Sequence, residues 1–485
     1  MTHGALRLGI DLGTSAVKAV ALDASGRVVA TGEASYPTHA DEPGQAEQEP
    51  SDWLQAASVA AGSIGGQLGP GWPKQLQAIG LTGQLPTLVC LGDHAVLGRA
   101  TTWTDSRADD WAGTRVDAER RRQFYRLTGM PIDGRYLAPM FQFHWPERRA
   151  GVRKILSAKD FLCFALTGRT VTDPSTAAGY GVYNLAEAAW DGDLCNFWNL
   201  DEKLLPGVAA ADDVAGGLTA AGARLLGLPE GLPVMTGAAD SVCGALAMSG
   251  ASDDTVSIVM GSSTIVIAAT EARLLDAEAR YLLTPHARAG WYGREMDLLA
   301  TGTGYHWLCR VLGWNSEQFE TRALRSPPGA GGVFFSPYLA GGEQGALWNP
   351  ALRGVIHGLT VQHDPADIAR AHFEGVFFEI RRCIDVLEET AGAAPIRRVV
   401  LSGHMVANRA IVAMLADALG RPVQIFSERS PSAIGAALLG ADFDQEHRPL
   451  LSDPIEPGPA ASAYDGFYSR YRALFPAIAA APSNG

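Results

Sequence analysis

The sequence predicts an α/β protein of two domains, and three observations carry that expectation. The chain has 485 residues, well beyond the roughly 250–300 at which a single hydrophobic core stops growing. Strand-like and helix-like patterns alternate along it instead of falling into separate blocks. One strand–turn–strand pattern occurs twice, as "LRLGIDLGTSAVKAVAL" near the start and "TVSIVMGSSTIVIAA" past the middle. A boundary near Ser249-Gly250 divides the chain into domains 1–249 and 250–485.

Each element follows in order. "LRLGIDLG" and "AVKAVALD" read as strands joined by a glycine turn, and "ASG" turns the chain into a third strand, "RVVATGEASY". Asp52, after Pro50-Ser51, precedes the alanine-rich helix "WLQAASVAAGSIGGQL". "LQAIGLTG" and "TLVCLG" read as further strands, and "RKILSAKDFLCFALTG" as a helix closed by Gly168. "PVMTG" is a strand leading through Ala238-Ala239 to Asp240 and a helix of small residues. In the second half, apolar residues from Ile368 to Leu387 recur at helical spacing, predicting a helix over 368–390. "RRVVLSG", "VANRAIVAMLADALG" and "RPVQIF" form a β-α-β unit, and "RSPPGAGG" (325–332) is a loop.

Composition narrows the partners. Apolar residues make up 47% and charged residues 19%, as in ordinary globular proteins. A net charge of −13 without any Lys/Arg-rich run argues against a nucleic-acid partner. No stretch of about 18 apolar residues predicts a membrane span. "MTHGALRLGID" lacks the charged and apolar regions of a leader, so a cytoplasmic location is expected. The six cysteines contain no CxxC pair and read as reduced core residues, not zinc ligands.

The two hairpins suggest chemistry. Gly13-Thr14-Ser15 and Gly261-Ser262-Ser263 are turns that expose backbone N–H groups and short hydroxyls, which suit a phosphate. Two ordinary β-turns would look the same singly. Placed once in each half, the pair suggests a clamp on a polyphosphate. Asp11 does not repeat, since Val259 stands at the matching position. The acid is therefore dispensable for the turn, and orienting a hydrated Mg²⁺ beside the phosphates is the chemical role it suits. Asp240 has two readings: a helix N-cap, or a general base at the mouth of a cleft.

Taken in order, these segments resemble the FGGY carbohydrate kinases over essentially the whole chain. "GIDLGTSAVKAVALDASG" is similar to the family's first phosphate hairpin, and "GLTGQLPTLVCLGDHAVLGRATTWTDSRA" to its sugar-binding segment. "GAADSVCGA" resembles the segment of the catalytic aspartate, and "GSSTIVIA" the second phosphate hairpin. "GVIHGLTVQHDPADIARAHFEG" is similar to the C-terminal signature and "SGHMVANRAIVAMLADALGRPV" to the adenosine segment.

The resemblance implies two ribonuclease-H-like domains of the actin/hexokinase-like ATPase fold, closing over ATP and a sugar. It implies Asp240 as the catalytic base and Asp11 as the metal-side acid. Gly13, Thr14, Ser15, Gly261, Ser262 and Ser263 would hold phosphates, while Gly302, Gly403 and Asn408 would line the nucleotide pocket. Gln84, Trp103, Asp105, Asp240 and Ser241 would meet the sugar. The partners implied are ATP with Mg²⁺ and a small carbohydrate, D-xylulose leading; a homodimer is left open. Departures stand at Leu85-Pro86, where xylulose kinases usually carry Met-His and glycerol kinases Arg-Glu, and at Met140, Gly342-Glu343-Gln344 and His404. Ribulose, glycerol or gluconate therefore stay open as substrates. An actin- or chaperone-like ATP-driven binding protein is the alternative of another class. It needs an Asp-x-Gly loop in the second domain, where this chain has Val259-Met260-Gly261.

Overall fold

The structure is a computed structural model that describes residues 5–93, 95–146, 149–340, 344–349, 351–439 and 449–480, with the backbone alone at 404, 479 and 480. Gly342, Glu343 and the side chain of His404 lie outside the described residues.

Strands β1 (Leu6–Leu12), β2 (Ala16–Leu22) and β3 (Val28–Ser35) form an antiparallel meander. The apolar residues of β1 and β2 are almost continuously buried because both faces of these strands are covered. Helix α1 (Pro50–Leu68) begins at Pro50, two residues before Asp52, because proline suits the first helical turn. It packs so closely on β3 that a Cβ on Gly32 would lie 2.0 Å from the Ala60 carbonyl oxygen. β4 (Leu76–Gly83) returns parallel to β1.

The helix expected over "RKILSAKDFLCFALTG" is shorter. Lys154–Leu156 is a strand, and α2 (Ala158–Thr167) starts after Ser157, which forms a capping box with Asp160. The cap ends the upstream strand, and Gly168 closes the helix at φ 73°. "TLVCLG" contributes Val89–Leu91, which pairs with Lys154–Leu156 and not with the main sheet. A short helix α3 (Pro174–Ala178), strands β5 (Val214–Gly217), β6 (Pro233–Met235) and β7 (Ala238–Ala239), and helix α4 (Asp240–Ser249) also belong to this half. The sheet order is β5-β6-β4-β1-β2-β3, with β7 also on β4.

The second half repeats the plan. β8 (Thr255–Met260) and β9 (Thr264–Thr270) are the second hairpin. β10 (Leu282–Pro285), β11 (Tyr292–Leu298), helix α5 (Thr301–Leu312) and the long helix α6 (Pro365–Glu389) follow. β12 (Arg398–Gly403), α7 (Arg409–Leu419) and β13 (Val423–Ile425) are the expected β-α-β unit. This sheet runs β10-β11-β9-β8-β12-β13. In both sheets an antiparallel meander (β3-β2-β1 and β11-β9-β8) continues into two parallel strands, β4-β6 and β12-β13. Two mixed-sheet α/β units with flanking helices make the actin/hexokinase-like architecture.

Helix α8 (Pro431–Leu438) belongs by chain order to the second half, yet it lies on the first sheet. A Cβ on Gly9 would sit 1.9 Å from the Ala433 carbonyl oxygen, and one on Gly80 only 1.7 Å from that of Ala436. Gly435 presses equally on α4, 1.8 Å from the Cys243 carbonyl oxygen by the same measure. Three positions without a side chain allow the backbones of β1, β4, α8 and α4 to meet there.

Candidate active site between the two sheets

Both hairpins deliver their turns to one cavity of about 190 Å³. Thr14 reaches it from the first turn and Ser263 from the second. Asp240, Ser241, Leu85, Pro86, Trp103, Tyr136, Glu295 and Asp297 are among the other residues lining it.

The first turn is braced on several sides. Gly13 N–H donates to the Ala16 carbonyl at 3.1 Å, and the Tyr36 hydroxyl donates to the Gly13 carbonyl. Trp103 Nε1 donates to Thr14 Oγ1 at 3.1 Å, and Gln48 Nε2 to the Thr14 carbonyl at 2.8 Å. Gln84 Nε2 donates to Gln48 Oε1 at 2.8 Å. Gln84 is thus behind the turn and not on the cavity wall, although its Oε1 is buried without a partner. Asp105 is also set back from the wall. Its carboxylate accepts from Ala46 N–H at 2.9 Å and from the Arg107 guanidinium at 2.6 Å, fixing the loop that carries Trp103.

Asp240 stands at the point where β4, β7 and α4 meet. Thr82 Oγ1 donates to the Ala238 carbonyl at 2.7 Å, and Ala239 N–H to Ser175 Oγ at 2.9 Å. Buried Lys159 donates to the Thr236 carbonyl at 2.8 Å and pairs with Asp160 at 2.9 Å and Asp173 at 3.1 Å. The segment that presents Asp240 is therefore held from below along its length. Asp240 does not cap α4 by its side chain. The N-cap is Ala239, and Asp240 Oδ1 accepts only from its neighbour Ser241 N–H, at 2.8 Å.

Burial pushes the Asp240 carboxyl well above the usual carboxylate range, with the charges of Asp11, Glu295 and Asp297 adding to it. Asp11 is raised to about 6 by burial, opposed by Lys18 across the hairpin. Its Oδ1 is buried with no hydrogen-bond partner. One acid with a free oxygen, beside a turn suited to phosphates, fits Mg²⁺. That ion keeps several waters and commonly takes only one or two protein carboxylates together with phosphate oxygens. No cluster of three metal-ligating side chains exists among the described residues.

Behind the second turn, Gly302 at the start of α5 lies so close that a Cβ would be 2.0 Å from the Gly261 carbonyl oxygen. Gly302 and Thr303 N–H groups both donate to the Ser262 carbonyl at 3.0 Å. Gly403 ends β12 at φ 108°, a conformation open to glycine, and a Cβ there would lie 2.2 Å from the Met260 carbonyl oxygen. Both glycines thus shape the turn. Asn408 caps α7 by accepting from Ala410 N–H at 3.1 Å and donates to Glu320 at 2.7 Å. Ser15 and Ser262 are exposed at the two turns.

The expectations omitted one wall. Glu295 and Asp297 come from β11, where residues two apart face the same side of the sheet. The alternation in "GREMDL" was the available signal. Glu295 accepts from Thr284 Oγ1 at 3.3 Å, and burial raises it to about 7. Asp297 is raised to about 6 by burial, and its Oδ1 has no partner. Asp133, Arg135 and Tyr136 come from the loop before the helix Leu137–His144. Arg135 Nη2 meets Asp133 Oδ2 at 2.5 Å, and Gln344 Nε2 donates to the same oxygen at 3.2 Å. Met140 is buried in that helix and does not reach the cavity.

Known proteins are similar over nearly the whole chain. Residues 6–247 match the N-terminal domain of the FGGY family of carbohydrate kinases, and residues 256–441 match its C-terminal domain. The xylulose kinase of Klebsiella pneumoniae is 30% identical over 461 residues, covering 92% of each chain. A gluconokinase of Bacillus licheniformis is 27% identical over 459 residues, covering 89% of this chain and 86% of that protein. The crystal structure of a xyloylose kinase from Brucella ovis superposes with a TM-score of 0.89 at 28% identity, over 98% of this chain and 100% of that one. With both of its halves matched, this chain belongs to the FGGY family of carbohydrate kinases.

Proposed function

We propose that the chain transfers the γ-phosphate of ATP to a hydroxyl of a small sugar, D-xylulose first, with Asp240 as the general base. The observation that carries this is the meeting of both turns and Asp240 on one cavity. Thr14 and Ser263 would hold phosphate oxygens from opposite walls, and Ser241, Trp103 and Tyr136 would face the sugar. The neighbours named xylulose kinases favour a ketopentose. Leu85 and Pro86 give the sugar an apolar wall in place of polar contacts.

The raised Asp240 carboxyl is a stronger base than an ordinary carboxylate, and it acts only once ionised. Asp11 would hold Mg²⁺, which supplies charge neutralisation between the phosphates when ATP is bound. Since Asp240 must be ionised to act, turnover should rise with pH along the acidic limb of the profile. A coupled assay of ADP release, run across pentuloses, polyols and aldonates, tests the activity. Asp240→Asn should lower kcat by about 10²–10⁴ with the fold intact. ADP release that ignores every added sugar would instead favour an ATP-driven binding protein.

A further inference from the structure

We infer that Glu295 and Asp297 are specificity-determining residues, which make the cavity reject sugar acids and accept uncharged or cationic polyols. The inference rests on the kinase reading above and extends it to the charge of the substrate.

The cavity wall carries four carboxylates, Asp133, Asp240, Glu295 and Asp297, against one guanidinium, that of Arg135. Arg135 is already engaged by Asp133 through Nε at 3.1 Å and Nη2 at 2.5 Å. Glu295 has hydroxyl partners only, among them Thr284. Asp297 keeps Oδ1 free and buried. A ligand here meets acceptors in excess and no uncommitted cation among the described residues. Hydroxyl and ammonium groups satisfy such a wall. At a pH above the values of about 7 and about 6 to which burial raises Glu295 and Asp297, a ligand carboxylate adds a like charge in a partly dehydrated space, where charges are weakly screened and the interaction is strongly unfavourable. The distinction bears on the relatives, since xylulose kinases and gluconokinases align over nearly the same span.

Charge can be varied on one carbon skeleton. Xylitol, xylonate and 1-amino-1-deoxyxylitol differ at one end only, as do glucitol, gluconate and glucamine. Each triplet is measured at pH 8 as inhibitors of ADP release with the sugar that drives it, and by calorimetry on the wild-type protein. The aldonate of each set should bind at least roughly tenfold more weakly than its alcohol, and the amine at least as well as the alcohol. In Glu295→Gln/Asp297→Asn, and in Asp297→Asn alone as a milder variant, the gap between aldonate and alcohol should narrow several-fold. Thermal unfolding verifies that each variant is folded. An aldonate that is the best substrate, or triplets that bind equally in the wild type, would overturn the inference while leaving the kinase reading intact. No sugar-dependent ADP release at all would instead overturn the kinase reading.

Discussion

The two hairpins occupy equivalent places in the two sheets, yet only one carries a charge. β1 ends in Leu12 opposite Gly83 of β4, and β8 ends in Met260 opposite Gly403 of β12. Each turn then has glycine followed by two hydroxyl residues. Asp11 faces Lys18 across the first hairpin, whereas Val259 faces Ile265 across the second. The first turn is braced by side chains, Tyr36, Gln48 and Trp103. The second is braced mainly by backbone, the N-terminus of α5 pressing on it through Gly302, with Thr303 Oγ1 adding a bond to the Ser262 carbonyl at 3.3 Å. The turn is thus the duplicated device, and the buried acid is a specialisation of one copy. An acid at 8% exposure with an unpartnered oxygen costs stability unless a ligand uses it.

The largest break in that comparison is Asp11→Asn in the enzymatic assay. It should reduce turnover by roughly 10²–10³, the usual loss for one preorganised electrostatic group, and alter Mg²⁺ dependence more than sugar affinity. A Mg²⁺ titration at fixed ATP with an unchanged curve and rate would remove the metal role. The same substitution should stabilise the protein without ligands. The Asp11 carboxyl is raised from 3.8 to about 6 in the fold. Between those values the unfolded chain has released the proton and the folded one retains it. Stability is therefore lost as pH rises through this window and stays lost above it. Asp11→Asn removes the loss, so its advantage in thermal unfolding should grow from pH 4 to 6 and then level off, on the order of 2–3 kcal/mol at most. An advantage independent of pH would contradict burial as the cause.

Smaller effects separate the two kinds of bracing. Gly302→Ala should cost about 1–3 kcal/mol and weaken ATP use, because the added methyl meets backbone that cannot turn aside. Gly83→Ala in β4, beside the first hairpin, should cost less, since its methyl would lie 3.1 Å from the Cβ and the carbonyl oxygen of Leu12, against 2.0 Å from backbone at Gly302. Unfolding midpoints and KM for ATP distinguish them, and equal losses would mean that the two turns are supported alike.

Much of this was legible in the sequence because it was local. The strands of both hairpins declare themselves by continuous apolar runs, and Asp11 and Asp240 stand out as acids in apolar or small-residue surroundings. What was hidden depends on long-range pairing. Trp103 meets Thr14 across 89 positions of chain, and β11 reaches the cavity only through its register with β9. Gln84 and Asp105, expected to meet the sugar, bond to Gln48, Ala46 and Arg107, while Gln84 keeps its Oε1 buried and unpartnered. Local spacing identifies a segment near the site but does not say which of its polar groups the fold itself consumes. The start of α2 was misplaced for a related reason: "RKIL" continues the helical apolar pattern, and the Ser157–Asp160 capping box overrides it.

Helix α8 has a consequence for how the protein is made. The sheet that begins at Leu6 is covered by a segment, Pro431–Leu438, that a ribosome delivers only after every strand of that sheet has been made. Until then the glycine-lined face at Gly9 and Gly80 has nothing to close it. A nascent chain halted after Ser249 would hold every strand of the first sheet and still lack its lid. The two halves recur as repeats, but a cut between them would part α8 from the sheet it covers.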